Sequence, residues 1–218
     1  MTLALQVYES GLTCGCGELE TKDGGRSVMP IGSWSGAPDP GDLALLERCS
    51  GPTLDVGCGP GRMTSALTRL GIASLGIDIS SVAVQMTIAR GGIALQRNVF
   101  DEIPGEQRWE HILLADGNIG IGGDAVRLLS RCAGLLAPGG KILLDVGPPG
   151  TALSARQVRV AVGDRTSGWF RWSWLGVDAL SVISATAGLT PTAVWRNGSR
   201  WQAELTASDN WLTGGATR

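Results

Sequence analysis

Leu54-Asp55-Val56-Gly57-Cys58-Gly59-Pro60-Gly61-Arg62 sits where a short apolar strand turns into a helix. Glycines at such a turn let the backbone approach a ligand, and the helix start offers unpaired N–H groups and a positive dipole end. Asp78 closes the next apolar run, 21 residues after Gly57. An acid there can accept hydrogen bonds from both hydroxyls of a ribose. Asp101 follows Asn98-Val99-Phe100 and is placed to hold an exocyclic amine. The glycine spacing is G-x-G-x-G, unlike the G-x-G-x-x-G of dinucleotide enzymes, and the G-K-[ST] ending of a P-loop is missing.

Alternating strands and helices must position these groups. The pattern predicts strands at 52–56, 74–79, 95–99, 111–115 and 141–146. Helices are predicted at 62–70, 81–89 and 124–136, the last ended by Pro138-Gly139-Gly140. Such alternation argues a parallel sheet covered on both faces, and runs such as His111-Ile-Leu-Leu-Ala115 are as apolar as doubly covered strands should be. Before this core, a helix is expected over 3–10, an irregular segment to residue 30, and a Pro-rich loop to Asp42, which would cap a helix over 43–49. After it, 157–162 alternates like an exposed strand and 176–187 reads as a helix. Residues 192–196 and 200–206 form a hairpin about Asn197-Gly198-Ser199.

The 218 residues suit one core, with 43% hydrophobic and 17% charged residues. A net charge of −2 favours neither nucleic acid nor an anionic membrane as partner, and no apolar run would span a bilayer. The start lacks the basic and apolar regions of a signal peptide. Five cysteines without such a signal suggest free thiols and a cytoplasmic setting. Cys14-Gly-Cys16 is too tight for a zinc knuckle, and with His111 the single histidine no metal site is expected. Surface or packing thiols are the preferred reading of that pair, with a soft-metalloid site as the alternative.

The stretch over about 50–147 resembles the class I S-adenosylmethionine-dependent methyltransferases. Asp55-Val-Gly-Cys-Gly-Pro-Gly61 looks like that family's first motif and Gly76-Ile-Asp78 like its second. Leu135-Leu-Ala-Pro-Gly-Gly-Lys-Ile-Leu-Leu144 is similar to its helix-to-fifth-strand segment. The resemblance implies a Rossmann-like α/β fold: a seven-stranded, mostly parallel sheet with helices on both faces and a C-terminal antiparallel hairpin. It implies S-adenosyl-L-methionine as cofactor and S-adenosyl-L-homocysteine as product. Asp55 would face the methionine amino group, and Gly57, Cys58, Gly59 and Gly61 the cofactor backbone. Asp78 would meet the ribose and Asp101 the adenine, with Ile79 and Phe100 also touching the cofactor. Residues 1–42 would supply an N-terminal helix and lid, residues 43–218 the methyltransferase domain, with 151–175 a lid insertion.

Leu113-Leu-Ala-Asp116-Gly-Asn118-Ile-Gly120-Ile-Gly-Gly-Asp124 is similar to a stretch in a poorly characterised set of bacterial small-molecule methyltransferases. It lacks the Asn/Asp-Pro-Pro-Tyr/Phe of many amino-methylating enzymes, which takes support from nucleobase or protein-amide N-methylation. Asp116 and Asn118 are the catalytic candidates, with Asp116 also within reach of the cofactor, and Gly120 the candidate for a bare pocket floor. The glycines alternatively serve only to let the cofactor lie close. Trp34, Trp169 and Arg171 are candidate lid residues, since tryptophan and arginine stack on planar or cationic ligands and an apolar lid excludes water. The same tryptophans would equally pack the lid against the sheet. Trp195 and Trp201 suit cross-strand packing. His111, at the far end of its strand, is expected to be structural and hydrogen-bonded.

The expected function is methyl transfer to a small molecule by a monomer or homodimer. A nicotinamide-dependent oxidoreductase is the second reading, disfavoured by the glycine spacing and by the lack of Tyr-x-x-x-Lys. A non-catalytic cofactor-binding module is the third.

Overall fold

A computed structural model describes residues 3–208. In chain order they form α1 (Leu3–Cys14), β1 (Glu18–Thr21), β2 (Arg26–Val28), α2 (Ile31–Trp34), α3 (Pro40–Leu46), β3 (Thr53–Val56), α4 (Arg62–Arg69), β4 (Ser74–Asp78), α5 (Ser81–Ala89), β5 (Ala94–Gln96) and β6 (Trp109–Leu114). A 3-10 segment (Asn118–Gly123) leads into α6 (Ala125–Leu135) and β7 (Leu136–Val146). Then follow β8 (Leu153–Val162), β9 (Arg165–Thr166), β10 (Phe170–Leu175), α7 (Val177–Thr186), β11 (Leu189–Asn197) and β12 (Arg200–Ala207).

The main sheet has seven strands in the order β11-β12-β7-β6-β3-β4-β5. β3 to β7 are parallel neighbours, and the hairpin β11-β12 closes the edge antiparallel. Alternation along the central strands divides the core between the two faces. Leu54, Ile112, Leu114, Ile142 and Leu144 pack with Leu128 and Leu129 of α6 and Leu180 of α7. Leu113 and Leu143 point the other way, onto Leu45 and Leu46 of α3 and Met63 and Leu67 of α4. Since β3, β4 and β6 are parallel, their carboxyl ends and the loops that follow open on one edge.

Residues 15–30, expected to be irregular, build part of a second, antiparallel sheet in the order β10-β8-β1-β2, with β9 beside β8. Leu19 of β1 pairs with Ser27 of β2 and Val160 of β8, and Val158 pairs with Phe170 of β10. The two segments expected to act as lids, one from each end of the chain, therefore share one sheet. β1 and β2 span four and three residues, too short for a period to show, and their pairing depends on β8 about 140 positions away.

Other local expectations are corrected. α1 runs to Cys14, and Gly15, at φ +71°, turns the chain so that Cys14 and Cys16 form a disulfide; Cys49, Cys58 and Cys132 are free and buried. The α3 cap is Asp39, not Asp42. Asp39 accepts from the Asp42 N–H at 2.8 Å, and Asp42 accepts in return from the Asp39 N–H at 2.9 Å. β5 stops at Gln96, because Arg97-Asn98-Val99 leaves the sheet. Among the described residues no helix is long and apolar enough to cross a membrane.

Candidate active site

Gly57, Gly59 and Gly61 leave the end of β3 in the left-handed region, with φ of +72°, +51° and +87°. Only glycine adopts this freely. A side chain at Gly61 would also strike the Thr87 backbone at 2.7 Å. The turn is tied to β4: the Gly57 and Cys58 amides donate to the Ile77 carbonyl at 2.8 and 3.0 Å. Asp78 braces it. Its Oδ2 accepts from the Gly59 N–H at 3.0 Å and its Oδ1 from the Ser80 N–H at 2.8 Å. Each oxygen keeps acceptor capacity. Burial raises the Asp78 carboxyl, and the backbone N–H groups pull it back.

Asp55 is buried behind the turn. Its Oδ2 accepts from the Thr64 N–H at 3.1 Å and the Thr64 hydroxyl at 2.6 Å. Its pKa is raised to about 6, chiefly by burial, with the Thr64 hydrogen bond opposing.

Asp116 follows β6 at φ +54°, an uncommon conformation for a non-glycine residue. Its N–H is held by Asp145 Oδ2 at 2.7 Å, and its own Oδ2 accepts from Arg62 Nη2 at 2.6 Å. Burial is the largest influence on the Asp116 carboxyl and raises it, with Arg62 opposing. Arg62 is itself buried. Its Nη1 donates to the Ser33 carbonyl at 3.2 Å. Its Nε lies 2.9 Å from Asp42 Oδ2, near enough for ion pairing, yet that N–H makes no hydrogen bond. Arg200 from the hairpin completes the network, donating to Asp42 at 2.7 Å, Asp39 at 2.9 Å and Asp145 at 2.5 Å. Asn118 donates from Nδ2 to the carbonyls of Val56 and Gly57 at 2.9 and 3.0 Å, which fastens this loop to the glycine turn.

A cavity of about 830 Å³ lies between the strand ends and the second sheet, near the upper end of the small-molecule range. Its floor includes Val56, Gly57, Ile77, Asp78, Ile79, Asp116, Asn118 and Gly122. The second sheet supplies the opposite wall, with Leu19, Val160, Phe170, Trp172 and Trp174, and Tyr8 and Trp34 close one end. A small annex of about 40 Å³ continues beneath, lined by Tyr8, Trp34, Asp55, Arg62 and the glycine turn. The Trp34 Nε1–H is buried there with no acceptor.

Of the residues expected at the site, the cavity and annex bring together Asp55, Gly57, Cys58, Gly59, Asp78, Ile79, Asp116, Asn118, Trp34 and Arg171. Gly61 stands just behind, as the residue before α4. Cys58 reaches only the annex; its thiol packs near the Thr87 hydroxyl at 3.7 Å and is raised by burial.

Four expected residues lie elsewhere. Asp101 is exposed and does not line the cavity: its N–H donates to the Asn98 carbonyl in a turn, and its own carbonyl accepts from Arg131 at 2.6 Å. Phe100 lies under the Arg127 guanidinium, 4.0 Å from its ring centre, and Arg97, Asn98 and Val99 line the cavity in their place. Trp169 is exposed beneath Arg159. Gly120 is covered by the second sheet: a Cβ there would lie 2.6 Å from the Ser173 carbonyl and would overlap the Trp172 ring. His111 is buried at the opposite end of β6, as expected, but its Nδ1 has no partner.

Tyr8, Arg62 and Asp145 were not legible as site residues. Tyr8 reaches the site only because α1 packs on β8 and α5, where Glu9 accepts from the Ser80 hydroxyl at 2.9 Å. The Tyr8 hydroxyl is raised well above its ordinary value, first by burial and then by Asp78.

Residues 53–140 match a family described as methyltransferase domain. A ubiquinone biosynthesis O-methyltransferase of Rhodopseudomonas palustris (strain TIE-1) is 38% identical over 92 residues, covering 40% of this chain and 36% of that protein. The match thus spans little more than a third of that relative's length. A solved S-adenosylmethionine-dependent methyltransferase from Bacteroides fragilis, in complex with S-adenosyl-L-homocysteine, superposes with a TM-score of 0.77 at 22% identity over 94% of both chains. The 1,6-didemethyltoxoflavin-N1-methyltransferase of Burkholderia thailandensis gives 0.62 at 17% identity, covering 94% of this chain and 88% of that one.

Proposed function

We propose that this chain, which has the class I S-adenosylmethionine-dependent methyltransferase fold and carries a methyltransferase domain over residues 53–140, transfers a methyl group from S-adenosyl-L-methionine to a small-molecule acceptor. The observation that carries the reading is the pairing of a bare glycine turn with Asp78 on the rim of the cavity. The names of the similar proteins support the same chemistry.

The residues present fit the cofactor. Gly59 faces open space that a side chain would fill, Gly57 and Gly61 let the turn pack on Asn118 and Thr87, and Asp78 retains acceptor capacity for a ribose diol. The annex offers an unpaired Trp34 N–H to a carboxylate, with Asp55 near enough to attract an ammonium group. When bound, the cofactor supplies a methyl group on a sulfonium, already activated for displacement.

The chain's own task is alignment and exclusion of water. The aromatic wall of β10 covers the acceptor space. Asn118 fixes the loop after β6 against the glycine turn, and Arg62 fixes Asp116. The Tyr8 hydroxyl stays protonated. Burial raises the Asp116 carboxyl against the opposing Arg62, which binds one of its oxygens, so Asp116 is the candidate base where an acceptor needs one, while Asn118 positions the loop.

Calorimetry with S-adenosyl-L-homocysteine tests the reading, with NADH as the control. Micromolar binding of the first and none of the second is expected; the reverse order would overturn it. The cytoplasmic setting and the monomer or homodimer belong to the same proposal, tested by fractionation and size-exclusion chromatography.

A further inference from the structure

We propose that Arg200 and Asp145 are the positioning pair for Asp116: together they hold its backbone and leave Oδ1 as the oxygen that takes the acceptor's proton. The inference rests on the methyl-transfer reading and concerns the acceptor side of the same site.

Asp145 lines the cavity, yet it has nothing left to offer a ligand. Its Oδ1 accepts from Arg200 Nε at 3.3 Å and Gln202 Nε2 at 3.1 Å, and its Oδ2 from Arg200 Nη2 at 2.5 Å and the Asp116 N–H at 2.7 Å. Four donors fill a carboxylate's capacity. Three of them fix Asp145 from β12, which leaves the fourth, the Asp116 amide, as the group being held.

That amide belongs to a strained residue. Asp116 and Gly117 follow one another in the left-handed region, at φ +54° and +78°. Glycine stands at the second position, as such a turn favours, but the first carries a carboxylate, where the conformation costs more. A charged side chain kept there on the cavity wall, against a backbone cost, has a task beyond the turn.

A second arm grips the carboxylate. Arg200 Nη1 donates to Asp42 Oδ1 at 2.7 Å, Asp42 Oδ2 pairs with Arg62 Nε at 2.9 Å, and Arg62 Nη2 donates to Asp116 Oδ2 at 2.6 Å. Asp116 is thus held by its amide and by one oxygen, and both lines end on Arg200. Its Oδ1 makes no hydrogen bond among the described residues, and Arg200 Nη2 lies 3.9 Å away. In the reaction the acceptor's heteroatom bonds to the methyl carbon as the carbon–sulfur electron pair stays with sulfur, and the proton that the heteroatom sheds passes to Oδ1.

The charged and titratable groups around Asp116 are Arg62 of α4, Arg200 of β12, Asp145 of β7, Asp42 of α3, Asp55 of β3 and Tyr8 of α1. Beyond burial, which raises its carboxyl, the two guanidinium groups lower it and Asp145 raises it.

The test is nuclear magnetic resonance on the full chain, with and without S-adenosyl-L-homocysteine, following the carboxyl carbon and the amide of Asp116. In the parent the amide should exchange at least about a hundredfold more slowly than an exposed one. Arg200→Gln should move the carboxyl titration to higher pH and speed that exchange at least about tenfold. Asp145→Asn should move the titration to lower pH. Arg200→Lys, which keeps the charge without the fork, should restore the titration but not the slow exchange. Any phenol or primary amine that the parent methylates should lose at least about tenfold in kcat with Arg200→Gln, with KM little changed. S-adenosyl-L-homocysteine affinity should stay within a few fold. If the pair only braced the hairpin, the Asp116 titration and kcat would match the parent in every variant, and that result overturns the proposal. A fast-exchanging Asp116 amide in the parent overturns it too, and decides even if a variant fails to fold. Failure of the parent to bind S-adenosyl-L-homocysteine would instead count against the methyl-transfer reading, and calorimetry reads it separately.

Discussion

Arg62 Nη2 donates to Asp116 Oδ2 at 2.6 Å, joining the first residue of α4 to the loop after β6. The pair couples the two loops that would meet the cofactor, and Arg200 extends the coupling to the C-terminal hairpin through Asp42 and Asp145. Removing one partner of a buried pair leaves the other charge uncompensated, at about 3–5 kcal/mol. Arg62 keeps its ion pair with Asp42 at 2.9 Å and Asp116 faces the cavity, so a loss below that range is expected. Asp116→Ala should lower the melting temperature markedly, and Asp116→Asn should recover most of the loss by accepting the same hydrogen bond. If thermal denaturation shows both variants as stable as the parent, the pair is not a structural tie.

Asp78 predicts the strength of cofactor binding. Hydrogen bonds to a charged group contribute about 1.5–3 kcal/mol each. Asp78→Ala should weaken S-adenosyl-L-homocysteine binding by about tenfold or more per ribose hydroxyl lost. It also frees the Gly59 N–H, so the glycine turn should loosen, visible as faster amide exchange at 57–61. Unchanged calorimetric affinity in a folded variant would remove Asp78 from the site.

Asp55 gives a pH dependence with a defined sign. Its carboxyl titrates near 6 in the fold against an ordinary value of 3.8. Between those values the folded chain binds more protons than the unfolded chain, so this group's contribution makes stability fall as pH rises from about 4 to 6, by about 3 kcal/mol in all. Affinity for the amino-acid end of the cofactor moves the opposite way, since only the ionised carboxylate attracts an ammonium. S-adenosyl-L-homocysteine should therefore bind more tightly above pH 6 than below it, and Asp55→Asn should flatten both profiles. A parent affinity constant from pH 5 to 7.5 would contradict this.

Much of the main sheet was legible because its strands are buried on both faces and read as apolar runs separated by glycine-ended helices. The glycine turn and Asp78 were legible for a different reason: a positive φ and a strand-end acid leave marks in residue type. The second sheet left little mark. Glu18-Leu19-Glu20-Thr21 is a strand only because Val158–Ala161 offers it partners, a relation between distant segments rather than a local one. Asp101 illustrates the converse error. Its type suited the task, but the turn closed by Asn98 faces it outward and leaves Arg97 and Asn98 on the cavity. Asp116 was found by its place after β6. Its guanidinium partner was not, because Arg62 reads in sequence as an ordinary first residue of a helix.

Cys14 and Cys16 provide a chemical check on the chain's N-terminal third. Alkylation of the native protein without reductant should label almost nothing, because those two sulfurs are bonded and Cys49, Cys58 and Cys132 are buried. Burial also raises the Cys49 and Cys132 thiols to about 12, which suppresses the reactive thiolate. After mild reduction two labels should appear, mapped by mass spectrometry to the peptide containing Cys14 and Cys16. Rapid labelling at Cys58 instead would mean that the glycine turn opens readily.

Gly120 tests whether the second sheet governs access to the acceptor space. A Cβ there would lie 2.6 Å from the Ser173 carbonyl and overlap the Trp172 ring, so Gly120→Val must push β10 away from the loop after β6. The ring can swing, but the carbonyl belongs to a strand paired with β8 along its length and cannot yield alone. The displaced strand carries Phe170, Trp172, Trp174 and Arg171, whereas Gly57, Asp78 and Asp55 belong to the other sheet and stay in place. Gly120→Val should therefore retain S-adenosyl-L-homocysteine affinity within a few fold, weaken acceptor binding or turnover by at least about tenfold, and speed amide exchange along 170–175. Equal loss of cofactor and acceptor binding would mean that the two halves of the cavity form one cooperative unit and that β10 is part of the cofactor site itself.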